Sequence, residues 1–236
     1  MAQLNGSEIL AKALKREGVD ELFFLMGGPM LAAEAATINE GIRCIDVRHE
    51  QAAAMMAQAY SRLQQRPGVC MAASGPATIN LSTGLANALI DCCPVVALGG
   101  AGPVSGYGRQ VFQEIDQMEI MSGCVKYAAR VHDARRIPEM LNVAMQRAMS
   151  GKPGPVYLDL PGDVLYQMVD EDKIDWSPSE RPILGARPPA PQAQIDELAA
   201  ALAKAERPVL LSGSGVIWSQ AWEELHALVD ATGIPF

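Results

Sequence analysis

Helical patterns alternate with short apolar strands along most of this chain, and this alternation constrains the fold more than any other feature. A helical pattern separates each predicted strand from the next, and strands that alternate with helices are typical of a parallel sheet covered on both faces. The sequence therefore predicts an α/β fold, a doubly wound parallel sheet, over residues 1–168. The predicted strands are ELFFLMG (21–27), IRCIDV (42–47), VCMAAS (69–74), PVVALGG (94–100), VKYAARV (125–131) and GPVYLDLP (154–161).

The composition changes after residue 168. Residues 169–192 contain the charged run DEDK (170–173) and five prolines between Pro178 and Pro191, which is typical of a stiff, extended linker. Residues 193–236 have the pattern helix, strand, glycine turn, helix and the start of another strand. We expect this segment to be the incomplete beginning of a second α/β domain, and the chain to be part of a longer polypeptide.

The overall charge excludes two classes of partner. The chain has 236 residues and a net charge of −8 at pH 7, which nucleic acid and anionic membranes would repel. No apolar run reaches about 18 residues, and the N-terminus has neither a basic start nor an apolar signal core. We therefore expect a cytoplasmic protein that binds neither nucleic acid nor a membrane.

The cysteines indicate neither a metal site nor a disulfide framework. Their spacing matches no metal-ligand pattern, and the vicinal pair is not a Cys-x-x-Cys motif. The sequence therefore predicts buried thiols and no metal ligands in this chain. The five cysteines are Cys44, Cys70, Cys92, Cys93 and Cys124.

The segment RHEQAAAMMAQAY (48–60) contains the strongest candidate for chemistry. It puts Glu50 between an apolar strand and a helix rich in alanine, at the edge of the predicted sheet. A carboxylate at a helix start is also favoured by the helix dipole alone, by some tenths of a kcal/mol. On this segment alone, a catalytic and a purely structural glutamate both stay open.

Two glycine-rich turns partly match the dinucleotide-binding pattern. In LGGAGPVSGYG (98–108) the third glycine falls one position late and Pro103 stands where a helix should open, so the pattern fails. In the second turn, Gly213 and Gly215 follow a predicted strand, but Trp218 stands where the last glycine belongs. A tight turn without ligand and contact with a nucleotide diphosphate both stay open there.

Several motifs in order resemble the N-terminal pyrimidine-binding domain of thiamine-diphosphate enzymes. The branch that is most similar holds acetolactate synthase, benzaldehyde lyase, oxalyl-CoA decarboxylase and 2-hydroxyacyl-CoA lyase. Residues 193–236 resemble the start of the family's central domain, so the resemblance covers essentially the whole chain. Its motifs are RHEQAAAMMAQAY, RPGVCMAASGPATINLSTGLANAL, PVVALGG, FQEIDQM and GKPGPVYLDLPGDV.

The resemblance implies cleavage or formation of a carbon-carbon bond next to a carbonyl. The substrate would be a 2-hydroxyacyl-CoA, in a lyase or decarboxylase, or a 2-keto acid, in a carboligase of the acetolactate synthase type. Glu50 would be the catalytic carboxylate, because in this family such a group bonds the aminopyrimidine ring nitrogen and so promotes deprotonation of the thiazolium. Ser74, Gly75, Pro76 and Asn80 match the loop around the pyrimidine, although Ala77 replaces the loop's second glycine.

Other matching residues are implied on the substrate side. Gly27 and Gly28 match a glycine loop near the reacting carbonyl. Phe112 and Gln113 match an aromatic residue and an amide beside the substrate, where Gln113 could donate to a developing oxyanion. Lys126 matches a lysine near the active-site entrance. The alternatives are loop packing for Phe112 and Gln113, and a solvated surface lysine for Lys126.

The resemblance also implies partners that this sequence lacks. The family binds the cofactor diphosphate through Mg²⁺ with a Gly-Asp-Gly motif in a C-terminal domain. This sequence contains no Gly-Asp-Gly; Gly162-Asp163-Val164 is nearest and belongs to the first domain. We therefore expect half an active site, completed in a homodimer or homotetramer, with FAD or ADP as a further candidate ligand of the central domain. The competing classes are a non-catalytic module that keeps the fold, which a retained Glu50 argues against, and a nucleotide-binding α/β protein without thiamine chemistry.

Overall fold

The structure is a computed structural model that describes residues 2–177 and 189–236. Its contacts divide the chain into two units, Met1–Gly185 and Ala186–Phe236. Among the helices of the described residues, none combines the length and apolar character that a membrane crossing requires.

A six-stranded sheet with the order β3-β2-β4-β5-β7-β6 forms the centre of the first unit. All of its neighbouring strands are parallel, which confirms the predicted fold class. Each predicted apolar run overlaps one of these strands, and the bounds differ by a few residues. They are β2 (Glu21–Leu25), β3 (Arg43–Asp46), β4 (Gly68–Ala72), β5 (Val95–Ala101), β6 (Tyr127–Arg130) and β7 (Val156–Pro161).

The strand order creates a switch point between β2 and β4. After β2 the chain moves outward to β3, returns to the other side of β2 as β4, and then continues to β5. The connections after β2 and β4 therefore run to opposite sides. In open α/β sheets, ligands bind in the crevice at the carboxyl ends of such strands.

Helices cover both faces of the sheet. On one face, α1 and α7 bury apolar residues such as Leu10, Leu14 and Leu141 in the same cluster as alternate strand residues. On the other face, α3 packs on β2, β4 and β5 and on α5. The helices of the first unit are α1 (Gly6–Arg16), α2 (Leu31–Asn39), α3 (Glu50–Gln64), α4 (Pro76–Asn80), α5 (Ser82–Ile90), α6 (Gln117–Ser122), α7 (Ile137–Met149) and α8 (Gly162–Leu165).

Small residues let α3 lie close to its neighbours, as its alanine-rich sequence predicted. Ala53, Ala54 and Ala57 are buried. A Cβ atom at Gly68 would lie 2.0 Å from the carbonyl oxygen of Ala57, and one at Gly84 would lie 2.6 Å from the Cβ of Ala54. Larger side chains at these glycines would push α3 away from β4 and α5, and Glu50 with it.

The predicted linker begins too early. Strand β8 (Met168–Asp170) pairs antiparallel with β1 (Gln3–Asn5), so residues assigned to the linker belong to the first unit. Ile174 is buried and Trp176 packs against the main core. Apolar contacts and backbone pairing therefore outweigh the polar composition of this stretch. The rest of the predicted linker lies largely outside the described residues.

The second unit contains α9 (Gln192–Lys204), α10 (Ser214–Trp218) and α11 (Trp222–Thr232). The helices agree with the sequence pattern, but the strand expected between the first helix and the glycine turn is absent from the described part of this unit. A parallel strand needs a neighbouring strand to pair its backbone groups. Here Leu210 N–H donates to the carbonyl of Pro235 at 2.9 Å, and Leu211 is fully exposed. The assignment of this unit as the beginning of a second α/β domain therefore stays a prediction.

Candidate active site

The carboxyl edge of the sheet gathers most of the predicted site residues. Gly27 and Gly28 follow β2, Glu50 follows β3, Ser74 and Gly75 follow β4, and the long connection after β5 carries Phe112 and Gln113. Because all six strands are parallel, these connections emerge on the same edge, next to the switch point between β2 and β4.

Glu50 is the first residue of α3, and it is only 8% exposed. The preceding residue, His49, caps the helix, with its Nδ1 accepting from the backbone N–H of Gln51 at 3.2 Å. Asn80 Nδ2 donates to Oε2 of Glu50 at 2.9 Å. Among the described residues, no group donates to the other oxygen, Oε1. The site therefore presents a buried carboxylate with one oxygen fixed and one available to a ligand.

Ser74 connects the glycine loop to the long connection after β5. Its hydroxyl lies 2.8 Å from Oε1 of Gln113 and 3.4 Å from the carbonyl oxygen of Gly28. Ser74 itself is buried. Residues predicted from three separate motifs are thus in contact at one point of the sheet edge.

Gly75 has a conformation that only glycine adopts readily, with φ 58° and ψ −117°. A Cβ atom here would lie 2.1 Å from the carbonyl oxygen of Gln113. The next residue, Pro76, begins α4, and Asn80 ends it. The motif SGPATIN therefore contains a short helix rather than a loop alone, with Ser74 beside one end and Asn80 at the other.

Gln117 is a functional candidate that the sequence reasoning missed. Its side chain is 2% exposed, and its Oε1 accepts from the backbone N–H of Gly75 at 2.8 Å. Its Nε2 lies 2.8 Å from the carbonyl oxygen of Gly100, 2.7 Å from the hydroxyl of Tyr157 and 2.6 Å from Oδ1 of Asp159. Gln117 therefore attaches the turn at Gly75 to the ends of β5 and β7.

An ion pair completes this buried network. Asp159 is fully buried on β7 and pairs with Arg130 of β6. Burial raises the pKa of the Tyr157 phenol well above its ordinary value, and the neighbouring Asp159 carboxylate raises it further. Tyr157 therefore stays protonated and donates to Asp159 at 2.6 Å. The sequence signal was a charged residue inside the apolar strand GPVYLDLP, because a buried charge needs partners.

Glu114 shapes the connection that carries Gln113. Its carboxylate accepts from the backbone N–H groups of Gly108 and Val111. These backbone bonds, with that from Gly108 first, lower the pKa of Glu114. Gln113 itself has φ 58°, in the left-handed region that non-glycine residues seldom adopt. Such a conformation persists where the surroundings hold it, often at functional sites.

Two of the predicted substrate residues differ in their surroundings. Phe112 is 84% exposed at this edge, so packing of its ring within the first unit does not explain it. Lys126, in contrast, precedes β6 and lies at the amino edge of the sheet, opposite the other candidates. Its Nζ donates to the carbonyls of Ser150 and Lys152 at 2.7 and 2.6 Å. The structure therefore gives Lys126 a role in holding the end of α7, and its predicted place at the site entrance within this unit is wrong.

No cluster of three or more His, Cys, Asp or Glu suited to a metal ion occurs within residues 2–177 and 189–236. Asp163, in the Gly-Asp-Val sequence, accepts from the backbone N–H groups of Val104 and Ser105 at 3.0 and 3.3 Å. Its role is to hold the turn after β5. The cysteines are free; Cys70 and Cys93 are buried as predicted, and the other three are partly exposed.

The fold and the polar cluster define an α/β domain with a candidate ligand site at the carboxyl edge of its sheet. A family model described as "Thiamine pyrophosphate enzyme, N-terminal TPP binding domain" matches residues 4–120. A second model, "Thiamine pyrophosphate enzyme, central domain", matches residues 195–236. The chain therefore belongs to the thiamine pyrophosphate enzyme family, as its motifs predicted.

Relatives of two kinds cover nearly the whole chain. It is 36% identical over 99% of its length to a 2-hydroxyacyl-CoA lyase of Arabidopsis thaliana, of which it covers 41%. It is 36% identical over 98% of its length to the acetolactate synthase isozyme 2 large subunit of Escherichia coli, of which it also covers 41%. For acetolactate synthase 2 of Nicotiana tabacum the identity is 38%, and the chain covers 34% of that protein. The chain thus spans well under half the length of these curated relatives.

Proposed function

We propose that this chain supplies the pyrimidine-binding half of the active site of a thiamine-diphosphate enzyme, which cleaves or forms a carbon-carbon bond next to a carbonyl. The observation that carries the proposal is the state of Glu50. A carboxylate that is 8% exposed, with Asn80 bonded to one oxygen and no donor from the described residues on the other, fits a partner that shares a proton.

The residues of this chain fit the cofactor's aminopyrimidine. Glu50 would bond a ring nitrogen through Oε1, while Asn80 fixes the carboxylate orientation. The turn at Ser74, Gly75 and Pro76 would lie beside the ring. Bound thiamine diphosphate supplies the nucleophilic carbon that attacks the substrate carbonyl. The protein's part is to hold a proton at the Glu50 carboxylate and to keep the site in place.

On the substrate side we propose Gln113, Phe112 and the backbone of Gly27 and Gly28. The Oε1 of Gln113 is occupied by Ser74, so its Nε2 is the group available to donate to an oxygen that gains negative charge. A 2-hydroxyacyl-CoA lyase or decarboxylase is our first choice of activity. A carboligase of 2-keto acids is the second, and the acetolactate synthases among the relatives favour it.

The proposal requires groups outside this chain's described residues. Mg²⁺ and the region that binds the diphosphate would complete the site, in a homodimer or homotetramer. A further nucleotide, FAD or ADP, would belong to the central-domain segment. There Gly213 and Gly215 flank the start of α10 with open space around both.

Replacing Glu50 by glutamine tests the proposal. In the complete enzyme, meaning this chain together with the diphosphate-binding region, Glu50→Gln should lower turnover at least about 100-fold, the scale for losing acid-base assistance. Folding should stay nearly intact, because glutamine keeps the shape and an acceptor for Asn80. Glu139→Gln, in the first turn of α7, is the matched control. Wild-type turnover in Glu50→Gln would refute the catalytic role.

Calorimetry on the 236-residue protein tests the half-site. We expect no measurable binding of thiamine diphosphate in magnesium buffer, because the metal and diphosphate contacts give most of the affinity for a phosphorylated ligand. Micromolar binding would show that the cofactor site is misplaced. A non-catalytic module would instead give no turnover with the diphosphate-binding region present, whichever residue stands at position 50.

A further inference from the structure

We propose that Ser74 is a positioning residue that sets the direction of the Gln113 amide, a role distinct from packing against the cofactor. This inference rests on the proposed function of Gln113 as a donor to the substrate. It starts from the hydrogen bond between the Ser74 hydroxyl and Oε1 of Gln113, at 2.8 Å.

The hydroxyl has one proton and two acceptors near it. Oε1 of Gln113 lies at 2.8 Å and the carbonyl oxygen of Gly28 at 3.4 Å, so the shorter contact takes the proton. An amide whose oxygen is held in this way must present its NH₂ group on the other side. The serine therefore decides which end of the amide is offered to a ligand.

The surroundings make this bond effective. Ser74 is buried and lies two residues after the end of β4, so the end of the strand limits the movement of its side chain. The backbone of Gln113 packs directly on the backbone of Gly75, so closely that there is no room for a side chain at position 75. This contact limits the movement of the Gln113 backbone. With its backbone in the left-handed region and its oxygen bonded, Gln113 keeps few conformations to lose when a substrate binds.

The Ser74–Gln113 hydrogen bond should hold the connection after β5 against the sheet edge. The rate of tryptic cleavage after Arg109 measures how firmly this connection is held, without any cofactor. Arg109 is exposed in the connection that carries Gln113, and cleavage after Lys204 in the other unit is the internal reference. Ser74→Ala and Gln113→Ala should each raise the rate after Arg109 by about 3- to 10-fold, the factor for one hydrogen bond. The double variant should be no faster than either single one. Gln113→Glu, which keeps an oxygen for Ser74, should match wild type.

Turnover in the complete enzyme separates two effects of Ser74: setting the direction of the Gln113 amide, and holding the connection that carries it. Ser74→Ala should lower kcat about 3- to 10-fold, while the Kd for thiamine diphosphate stays within about threefold of wild type. Gln113→Glu keeps an acceptor for the Ser74 hydroxyl but loses the NH₂ donor, so it should lower kcat about 100-fold. In a Gln113→Ala background, Ser74→Ala should cause no further loss.

The outcomes distinguish the proposed substrate role of Gln113 from the positioning role of Ser74. If Gln113→Ala leaves turnover unchanged, the proposed substrate role of Gln113 fails, whatever the cleavage rates show. If Gln113→Ala lowers turnover but the effects of the two alanine variants multiply, Ser74 acts independently of Gln113 and the inference is overturned. Wild-type cleavage after Arg109 in Gln113→Ala overturns it too, and this variant needs no change in the buried serine.

Discussion

Replacing Gln117 by leucine should destabilise the first unit strongly, although the side chain keeps a similar volume. The amide makes contacts with four partners, and the buried N–H of Gly75 has Gln117 as its acceptor. Asp159 loses one donor but keeps Tyr157 and Arg130. A buried donor left without a partner costs about 1–3 kcal/mol, and a lost bond to a charged group about 1.5–3 kcal/mol. The expected loss in the free energy of unfolding is therefore about 3–5 kcal/mol.

Urea unfolding followed by tryptophan fluorescence measures this loss. The protein has three tryptophans, and Trp176 packs against the core of the first unit with the Arg16 guanidinium 4.5 Å from its ring centre. Changing the two tryptophans of the second unit to phenylalanine makes Trp176 the sole reporter. Gln64→Leu, at the exposed end of α3, is the matched control and should change the free energy by less than about 1 kcal/mol. A loss below about 1 kcal/mol for Gln117→Leu would refute the assigned network.

Three further changes test other parts of the same edge. Gly75→Ala should lower the unfolding free energy by at least about 2 kcal/mol in the same assay, because φ is positive and the new Cβ would lie 2.1 Å from the Gln113 carbonyl oxygen. Arg130→Met should cost about 3 kcal/mol, since it leaves the buried Asp159 carboxylate without its cation. Burial raises the pKa of Cys70 from 9.0 to about 12. The unfolded thiol ionises first, so this stability is complete below pH 9 and falls toward pH 12, and Cys70→Ala should reduce the fall measured by urea titrations at each pH.

The sheet was predictable because its signal is repeated along the chain. Each central strand is a continuous apolar run bounded by a turn, which is the pattern of a strand buried on both faces. The place of Glu50 followed from the same reading, since a residue between a strand and a helix of a parallel sheet lies at the carboxyl edge. The strand expected near Leu210 is absent for the opposite reason: among the described residues of its unit no neighbouring strand pairs with this apolar run, and only Leu210 N–H finds a backbone acceptor, the carbonyl of Pro235.

The details of the site depend on contacts that a local pattern does not contain. The helix α4 has five residues, begins at a proline and follows a glycine, so its sequence reads as a loop. Gln117 and Asp159 are far apart in sequence and meet only because β5, β6 and β7 are neighbours. Lys126 was misplaced because its motif match was followed although its place at the start of the predicted strand VKYAARV puts it at the amino edge of the sheet.

The short helix α4 links the two halves of the proposed chemistry. At its end, Asn80 holds the carboxylate of Glu50 at 2.9 Å; just before its start, Ser74 holds the amide of Gln113 at 2.8 Å. The position of the proposed catalytic carboxylate relative to the proposed donor to the substrate therefore depends on one short helix, which Gln117 holds through the N–H of Gly75. A shift of a fraction of an ångström in this helix would displace both groups together. We therefore expect the buried hydrogen bonds of Gln117 to contribute to activity by keeping the two groups at a fixed separation.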